Sequence, residues 1–315
     1  MSGRAQRIDG PSDGADGETS DTSSGEPRDL SGLAFAATAA IAFGTLAISA
    51  KLAYERGAHP IPLLATRFGI TALILFAFRI AGRRSLRLPR RDLVVSLGLG
   101  FGYACESLLF FLALERAPAS AVSLVFYSFP LWTNLMAAAF RLERIRAPNM
   151  IALSLGSIGV ALIFSIEGIP TTALLLALGS AVAVAVYLLA AQVALRTVRP
   201  AVAAVWTAVG ATITLSIAGL ASGHGLPGEA IPAAGALGVA TAIAFICFYE
   251  AIGRIGSSRT SVASMLEPVA TVALAFIILN EAITGRVGIG AVLIVAALPV
   301  LALARGRSAG APEGP

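Results

Sequence analysis

The stretch TTALLLALGSAVAVAVYLLAAQVAL, residues 171–195, carries no charged side chain and decides the class of fold. A helix rises about 1.5 Å per residue, so about 20 apolar residues cross the roughly 30 Å hydrocarbon core of a bilayer. Residues 151–166 are also uncharged, and residues 31–53 carry only Lys51. These runs predict membrane spans, which must be helical because lipid offers no hydrogen-bond partner to an open backbone.

The composition of the whole chain agrees with these runs. Of its 315 residues, 57% are hydrophobic and 13% are charged, whereas soluble domains average about 45–50% apolar and about 25% charged residues. A soluble core cannot take up this excess, so the composition excludes an ordinary soluble domain. The net charge of +5 does not indicate nucleic-acid binding, because the arginines concentrate in short loops between apolar runs, as in membrane proteins.

Ten spans are predicted from the apolar runs. They cover residues 31–53, 61–82, 93–114, 119–140, 149–166, 171–195, 200–221, 230–252, 259–279 and 286–304. Prolines lie at or near several span starts, where a missing backbone donor matters least. Cys105 and Cys247 fall inside spans, so we interpret them as small buried residues and not as a disulfide. The fold class is therefore an all-α polytopic membrane protein.

The basic residues predict the orientation of these spans. With the N-terminus inside, 18 of the 23 Lys and Arg residues fall on the inner side and four on the outer side, while Arg67 lies within a span. The positive-inside rule therefore predicts that both termini are cytoplasmic. The membrane is expected to be a bacterial-type plasma or inner membrane. Residues 1–30 are polar and lack the apolar stretch of a signal peptide, so we expect a disordered cytoplasmic tail there and a short one at 306–315.

An internal repeat appears when the chain is shifted by 138 residues. No gap is needed to align Arg116 with Arg254, Ser120 with Ser258, Ser123 with Ser261, Pro130 with Pro268, Thr133 with Thr271 and Glu143 with Glu281. Two repeats of five spans follow, at residues 31–167 and 171–305. An odd number of spans inverts the second repeat, which is typical of secondary transporters that bind substrate near the midplane. A duplicated scaffold without transport is the alternative.

Polar residues inside the spans are the candidate site. A charged group at the bilayer centre costs about 2.5–3.5 kcal/mol on insertion scales, so its presence needs a reason. Helical spacing places polar residues of the third, fourth and ninth spans on one face each, and we expect these faces to line a central cavity. The substrate-binding candidates are Tyr103, Glu106, Ser123, Tyr127, Asn134, Tyr187, Ser264, Glu267 and Thr271. For the Ser, Thr and Asn residues, hydrogen bonding between helices is an equally simple interpretation.

Several roles stay open for the charged and kinked positions. Glu267 could exchange a proton, pair with Arg67 or bind a substrate amine, and Glu106 is a second coupling candidate. Arg67 could hold a substrate carboxylate or fix the second span to its neighbours. Pro130 and Pro268 lie mid-span, where each removes a backbone hydrogen bond and acts as a flex point or a static bend. Tyr249 either joins the cavity or anchors the chain at the membrane surface.

Motifs of other function classes are absent from the sequence. It has no Gly-rich phosphate loop ending in Lys, so the chain carries no ATPase of that type. His59 and His224 both fall in outer loops, and there is no His-Glu-x-x-His motif or zinc-type cysteine pair. We therefore expect no catalytic residues, cofactor or metal. The expected partners are a small-molecule substrate and the lipid bilayer, without nucleic acid and with a homodimer as one option.

Short motifs in both halves resemble a known family. In the first half they are GY at 102–103, LALER at 112–116, ASA at 119–121, Pro130 and LER at 142–144; in the second they are SMLEPV at 264–269, LNEAIT at 279–284 and Gly288. FG at 43–44, Lys51 and Arg67 resemble the first-half pattern, with Phe43 where Trp is usual. The chain thus resembles the EamA-type proteins of the drug/metabolite transporter superfamily over roughly residues 31–305.

The resemblance implies a fold and an activity. It implies ten transmembrane helices as two inverted five-helix repeats around a central cavity, and metabolite or drug export that is often proton-coupled. It implies no substrate, because the family includes amino-acid exporters and nucleotide-sugar carriers. We therefore expect a secondary active transporter that exports a small amino acid-like or drug-like metabolite by alternating access. The alternative is a membrane enzyme or sensor that reuses the same helical scaffold.

Overall fold

A computed structural model describes residues 26–117, 119–143, 146–164, 169–279 and 284–303, and within them all the regular structure is helical. The α-helices are α1 Glu26–Glu55, α2 Pro60–Ala81, α3 Arg90–Leu114, α4 Ala119–Phe126, α5 Phe129–Ala139, α6 Ala147–Ile163, α7 Thr171–Ala194, α8 Pro200–Ser222, α9 Ile231–Ala263, α10 Leu266–Leu279 and α11 Gly285–Leu303. A short 3-10 turn, Gly228–Ala230, precedes α9.

Helix α1 begins earlier than predicted. It starts at Glu26, before the predicted start of the first span at residue 31. Pro27 lies in the first turn, where a helix needs no backbone donor from it. Residues 1–25 and 304–315 lie outside the described residues.

Seven helical stretches in the described ranges are long and apolar enough to span a membrane. They are Pro60–Ala81, Arg90–Leu114, Ala121–Ala139, Thr171–Ala194, Pro200–Ser222, Gly228–Ala263 and Gly285–Ala302. Two shorter apolar helical stretches, Leu30–Leu46 and Ala147–Ile163, accompany them. The chain is therefore an integral membrane protein, while the count of ten spans and the cytoplasmic termini remain predictions.

Two of the predicted spans are interrupted helices. The fourth predicted span consists of α4 and α5, with a break at Tyr127 and Ser128. The ninth begins in the last turns of α9 and continues in α10. Between the eighth and ninth spans, α9 is bent at Gly256, whose φ of 80° and ψ of 170° are not helical.

The two halves of the chain interlock instead of packing as separate bundles. Helix α1 lies along α9 and α10, as its counterpart α7 in the second half lies along α3, α4 and α5. Helices α2 and α8 pack on each other, and so do α6 and α11. Exchanging the halves maps these contacts onto one another, as an inverted repeat with a pseudo-twofold axis requires. Most of the packing therefore lies between the halves.

Small residues allow this close approach. A Cβ added at Gly159 in α6 would lie 2.6 Å from the carbonyl oxygen of Gly290 in α11, and one added at Gly290 would lie 2.6 Å from that of Gly159. Backbones in direct contact are typical of helix packing in membranes, where lipid removes the hydrophobic drive between helices. The outward side chains of the bundle are large and apolar, as at Leu73, Phe78 and Leu220, which suits a lipid-facing surface.

Candidate functional site

The breaks in the fourth and ninth spans lie beside the two prolines. Pro130 is the second residue of α5 and Pro268 is the third of α10, so each stands at the start of a helix and not in its middle. A proline disfavours helical backbone in the residue before it and is tolerated in a first turn. The two prolines therefore account for the position of both breaks, while a role as flex points stays a prediction.

A tyrosine and a glutamate connect the two breaks. The Tyr127 hydroxyl, in the break between α4 and α5, faces the carboxylate of Glu267 in the first turn of α10 and lies near enough to interact with it. The Tyr127 ring is buried and stacks on Phe164, with centroids 5.8 Å apart and an interplanar angle of 7°. Glu267 itself is only half-buried, so its carboxylate is not fully enclosed by protein groups.

Arg67 of α2 is the basic member of the site. It is 3% exposed, and its Nε donates to Thr241 Oγ1 of α9 at 2.7 Å. The guanidinium also lies near the Tyr103 hydroxyl, and close enough to Glu106 and Glu267 to interact electrostatically with both. Its carbon Cζ lies 4.9 Å from the centroid of the Phe68 ring. A buried cation needs such compensation, because its hydration is lost.

Glu106 of α3 is the most enclosed acid. It is 5% exposed, and its Oε2 accepts a hydrogen bond from Ser107 at 3.1 Å. Its Oε1 accepts from Ser180 of α7, also at 3.1 Å. Because α3 and α7 belong to different halves, the hydrogen bond to Ser180 connects the two halves. It also places an acidic side chain in the interior.

These contacts define a central charged cluster, formed by Arg67, Glu106, Glu267, Tyr103 and Tyr127. Its members come from α2, α3, the α4–α5 break and α10, so both halves contribute. With both carboxylates ionised, the cluster carries one more negative than positive charge. It can therefore hold a substrate amine or a proton inside a low-dielectric interior, where such interactions are strong.

An aromatic network adjoins the cluster. The Tyr103 ring lies edge-on to Tyr187 of α7, with centroids 5.0 Å apart. The Tyr187 hydroxyl donates to that of Tyr249 in α9 at 3.0 Å, and the Tyr249 hydroxyl lies 2.6 Å from Thr207 Oγ1. Tyr249 is fully buried, so its interpretation as a membrane-surface anchor is wrong.

The remaining polar candidates bond to backbone. Asn134 Nδ2 donates to the Pro130 carbonyl at 2.8 Å, and Ser264 Oγ donates to the Thr260 carbonyl at 2.9 Å. Thr271 Oγ1 donates to the Gly44 carbonyl of α1 at 3.1 Å, and Ser123 is half-buried in α4. Of these contacts, the Thr271 bond joins two helices, whereas the Asn134 and Ser264 bonds stay within four residues of the chain.

Several residues of the site were not predicted. Thr241 and Ser180 form hydrogen bonds with Arg67 and Glu106, yet the residues on either side of each along the chain are uncharged and small or apolar. Phe245 packs edge-on to Tyr103, with centroids 5.0 Å apart. Their sequence surroundings do not distinguish them from ordinary span residues. Only the fold shows that they face the charged side chains.

Comparison with known proteins agrees with this architecture. A solved structure described only as "Crystal structure of protein" superposes with a TM-score of 0.72 at 26% sequence identity, covering 89% of this chain and 98% of that one. No curated protein matches the sequence. The profile of the EamA-like transporter family matches twice, at residues 30–165 and 171–303. Because these matches cover most of the chain and coincide with its two halves, the protein belongs to the EamA-like transporter family.

Proposed function

We propose that this membrane transporter is a secondary active exporter of a small amino acid-like or drug-like metabolite, working by alternating access, with Glu267 as its binding and coupling acid. The observation that carries the proposal is the central charged cluster, which lies where the two halves meet. Secondary transporters with inverted repeats place their substrate sites at such an interface.

Glu267 is the member of the cluster best suited to exchange partners. Glu106 has two serine donors and Arg67 is bonded to Thr241, so both are held by the protein. Among the described residues, the Glu267 carboxylate is faced by the Tyr127 hydroxyl but is not held by a comparable set of donors, and it is half-buried. A carboxylate that is incompletely satisfied in a dry interior is stabilised by an incoming cation, whether a substrate amine or a proton. We therefore assign the exchange step to Glu267.

Alternating access follows from the pairing of the halves. The halves make equivalent contacts, so, if the second half is inverted as proposed, an arrangement closed on one face has a counterpart closed on the other. The interrupted helices at Pro130 and Pro268 lie at equivalent places in the halves. Rocking the bundle of α1, α9 and α10 against the bundle of α7, α3, α4 and α5 about these breaks would expose Glu267 to each side in turn. Direct competition between a proton and a substrate amine for Glu267 would couple export to the proton gradient.

The test compares cells that express the wild-type protein with cells that express Glu267→Gln at equal levels. Metabolites inside and outside are quantified by mass spectrometry at two external pH values. We expect one class of amine-bearing metabolite to leave the cells only with the wild type, at a rate that depends on the pH gradient. Glu229→Gln is the matched control, because Glu229 is exposed in the turn before α9.

Two outcomes would contradict parts of the proposal. Equal export by the wild type and Glu267→Gln would remove the role of Glu267 while leaving transport in place. If neither protein exports any metabolite across a broad panel, while uptake into the cells is detected, the proposed direction is wrong.

A further inference from the structure

A cleft of about 410 Å³ opens on the face opposite the arginine-rich loops. Its lining includes Tyr54, Ala58, His59, Glu115 and His224. His59 lies between α1 and α2 in the first half, and His224 lies between α8 and α9 in the second. The two imidazole rings stack across the boundary between the halves, with centroids 4.2 Å apart and an interplanar angle of 10°.

One carboxylate adjoins the pair. Glu115, at the end of α3, lies with Oε1 4.0 Å from His59 Nε2, while its other oxygen lies 3.4 Å from Arg116 Nη1. His59 Nδ1 is buried and has no hydrogen-bond partner among the described groups. The other charged groups on the surrounding elements are Glu55 and Arg56 at the end of α1 and Glu229 in the turn before α9. Across the described ranges no three His, Cys, Asp or Glu side chains are placed to hold a metal ion.

We propose that the stacked His59–His224 pair is a proton-sensitive contact that holds the outer face of the two halves together and releases it when the outer solution becomes acidic. An imidazole changes charge between about pH 5 and pH 8. One proton on the pair is tolerated, because Glu115 lies beside His59. A second proton places two like charges on parallel rings at 4.2 Å, and this repulsion disfavours the stack.

The sign of the effect follows from that repulsion. The contact is therefore favoured while at least one ring is neutral, and it is lost in a solution acidic enough to charge both rings. Loss of the stacked contact widens the cleft. Substrate would pass through this cleft between the centre of the protein and the outer side. In combination with the proposed export, on which this consequence rests, an acidic exterior would favour the outward-facing state and so the release of substrate.

A distance measurement tests the contact without requiring transport. In the full chain with Cys105→Ala and Cys247→Ala, spin labels are attached at Leu52→Cys and Gly225→Cys, one on each side of the pair. Leu52 is 40% exposed, and a Cβ at Gly225 would meet no atom within 4 Å. Pulsed electron paramagnetic resonance then gives the label separation in nanodiscs at about pH 8 and about pH 5.

We expect the separation to increase by several ångströms on acidification. His224→Phe is the matched variant, because it keeps a flat ring to stack on His59 and cannot take a proton; in it the separation should stay at the neutral-pH value. His59→Phe should behave the same way, which protects the test if one variant misfolds. A separation that does not change with pH, or that changes equally in the Phe variants, would overturn the proposal. Failure of the export assay would leave this result unaffected.

Discussion

Arg67 is the residue whose burial constrains the site most. A guanidinium stays protonated in proteins, so it cannot avoid the desolvation cost of burial by losing its charge. Its Nε bond to Thr241 also connects α2 of the first half to α9 of the second. This side chain thus connects the second span to α9 and also carries charge in the central charged cluster, while its role toward a substrate carboxylate stays a prediction.

Thr241→Val should destabilise the protein by about 1–3 kcal/mol, because it leaves a buried charged donor without an acceptor while preserving side-chain volume. The change is measured by unfolding the purified protein in detergent. Thr214→Val is the control, since the Thr214 hydroxyl bonds only to the Gly210 carbonyl of its own helix. Equal effects of the two substitutions would mean that the Arg67–Thr241 bond makes no special contribution.

Tyr127→Phe should reduce export with little effect on the amount of folded protein. The ring stacked on Phe164 is retained, while Glu267 loses the hydroxyl that faces it. A hydrogen bond to a charged group contributes about 1.5–3 kcal/mol, so a fall of about tenfold or more in the rate is expected. Transport is compared at matched expression with Tyr54→Phe as the control. A wild-type rate in Tyr127→Phe would show that Tyr127 does not act on Glu267.

Single residues of the site were predictable to different degrees. Glu106, Glu267 and Arg67 could be found because a charge inside an apolar run is rare and needs a reason. Thr241 could not, because it lies 174 positions from Arg67 and a lone threonine in a span is ordinary. Asn134 lies within α5 and Ser264 in the turn between α9 and α10, and a sequence does not show whether such a side chain bonds to the backbone of its own segment.

At the scale of elements, the bend in α9 links the two halves on the arginine-rich face. Gly256 breaks the helix, which leaves the backbone N–H groups of the following turn without helical acceptors. Ser257 N donates to Gln192 Oε1 of α7 at 2.7 Å. Ser258 N donates to Glu143 Oε1, from the loop after α5, at 3.4 Å. A carboxylate of the first half therefore caps the helical turns that lead to Glu267 in the second.

Gly256→Ala should destabilise the protein by about 1–3 kcal/mol, the usual range for a strained backbone conformation. Its φ of 80° favours glycine, and an added Cβ would lie 2.5 Å from Glu143 Oε1. Gly235→Ala, in the same helix with open space around it, should instead be neutral or stabilising by up to about 1 kcal/mol. Thermal unfolding in detergent distinguishes the two. Equal midpoints would mean that the bend tolerates a side chain and does not depend on the Glu143 contact.

The element boundaries show why the sequence predicted spans better than helices. Apolar length located the spans, since it depends on the bilayer, but it does not detect a break inside a span. The break between α4 and α5 at Tyr127 and Ser128 could be inferred only from Pro130. The end of the eighth span was expected near residue 252, whereas α9 continues through the bend at Gly256 to Ala263. Helical geometry resumes there because Glu143 and Gln192 supply the missing acceptors.

At the scale of the whole molecule, α6 is the element on which the orientation of the second half depends. It has 17 residues, which is about 26 Å of helix and slightly less than the roughly 30 Å hydrocarbon core. It packs backbone to backbone on α11 through Gly159 and Gly290. If α6 crosses the membrane, the second half is inverted; if it does not, every later loop changes sides.

Three single cysteines in a chain with Cys105→Ala and Cys247→Ala decide between these topologies. Ser85→Cys lies between α2 and α3, Ala117→Cys follows α3, and Gly225→Cys lies between α8 and α9. A membrane-impermeant thiol reagent is added to intact cells, and total labelling is measured after permeabilisation. We expect Ala117→Cys and Gly225→Cys to react from outside and Ser85→Cys to react only after permeabilisation, because the arginine-rich loops stay in the cytoplasm.

If Gly225→Cys is protected while Ala117→Cys reacts, α6 does not cross the membrane. The inverted repeat, and the alternating access built on it, then fail. If all three positions react in the reverse sense, the repeat stands and the charge-based orientation is wrong.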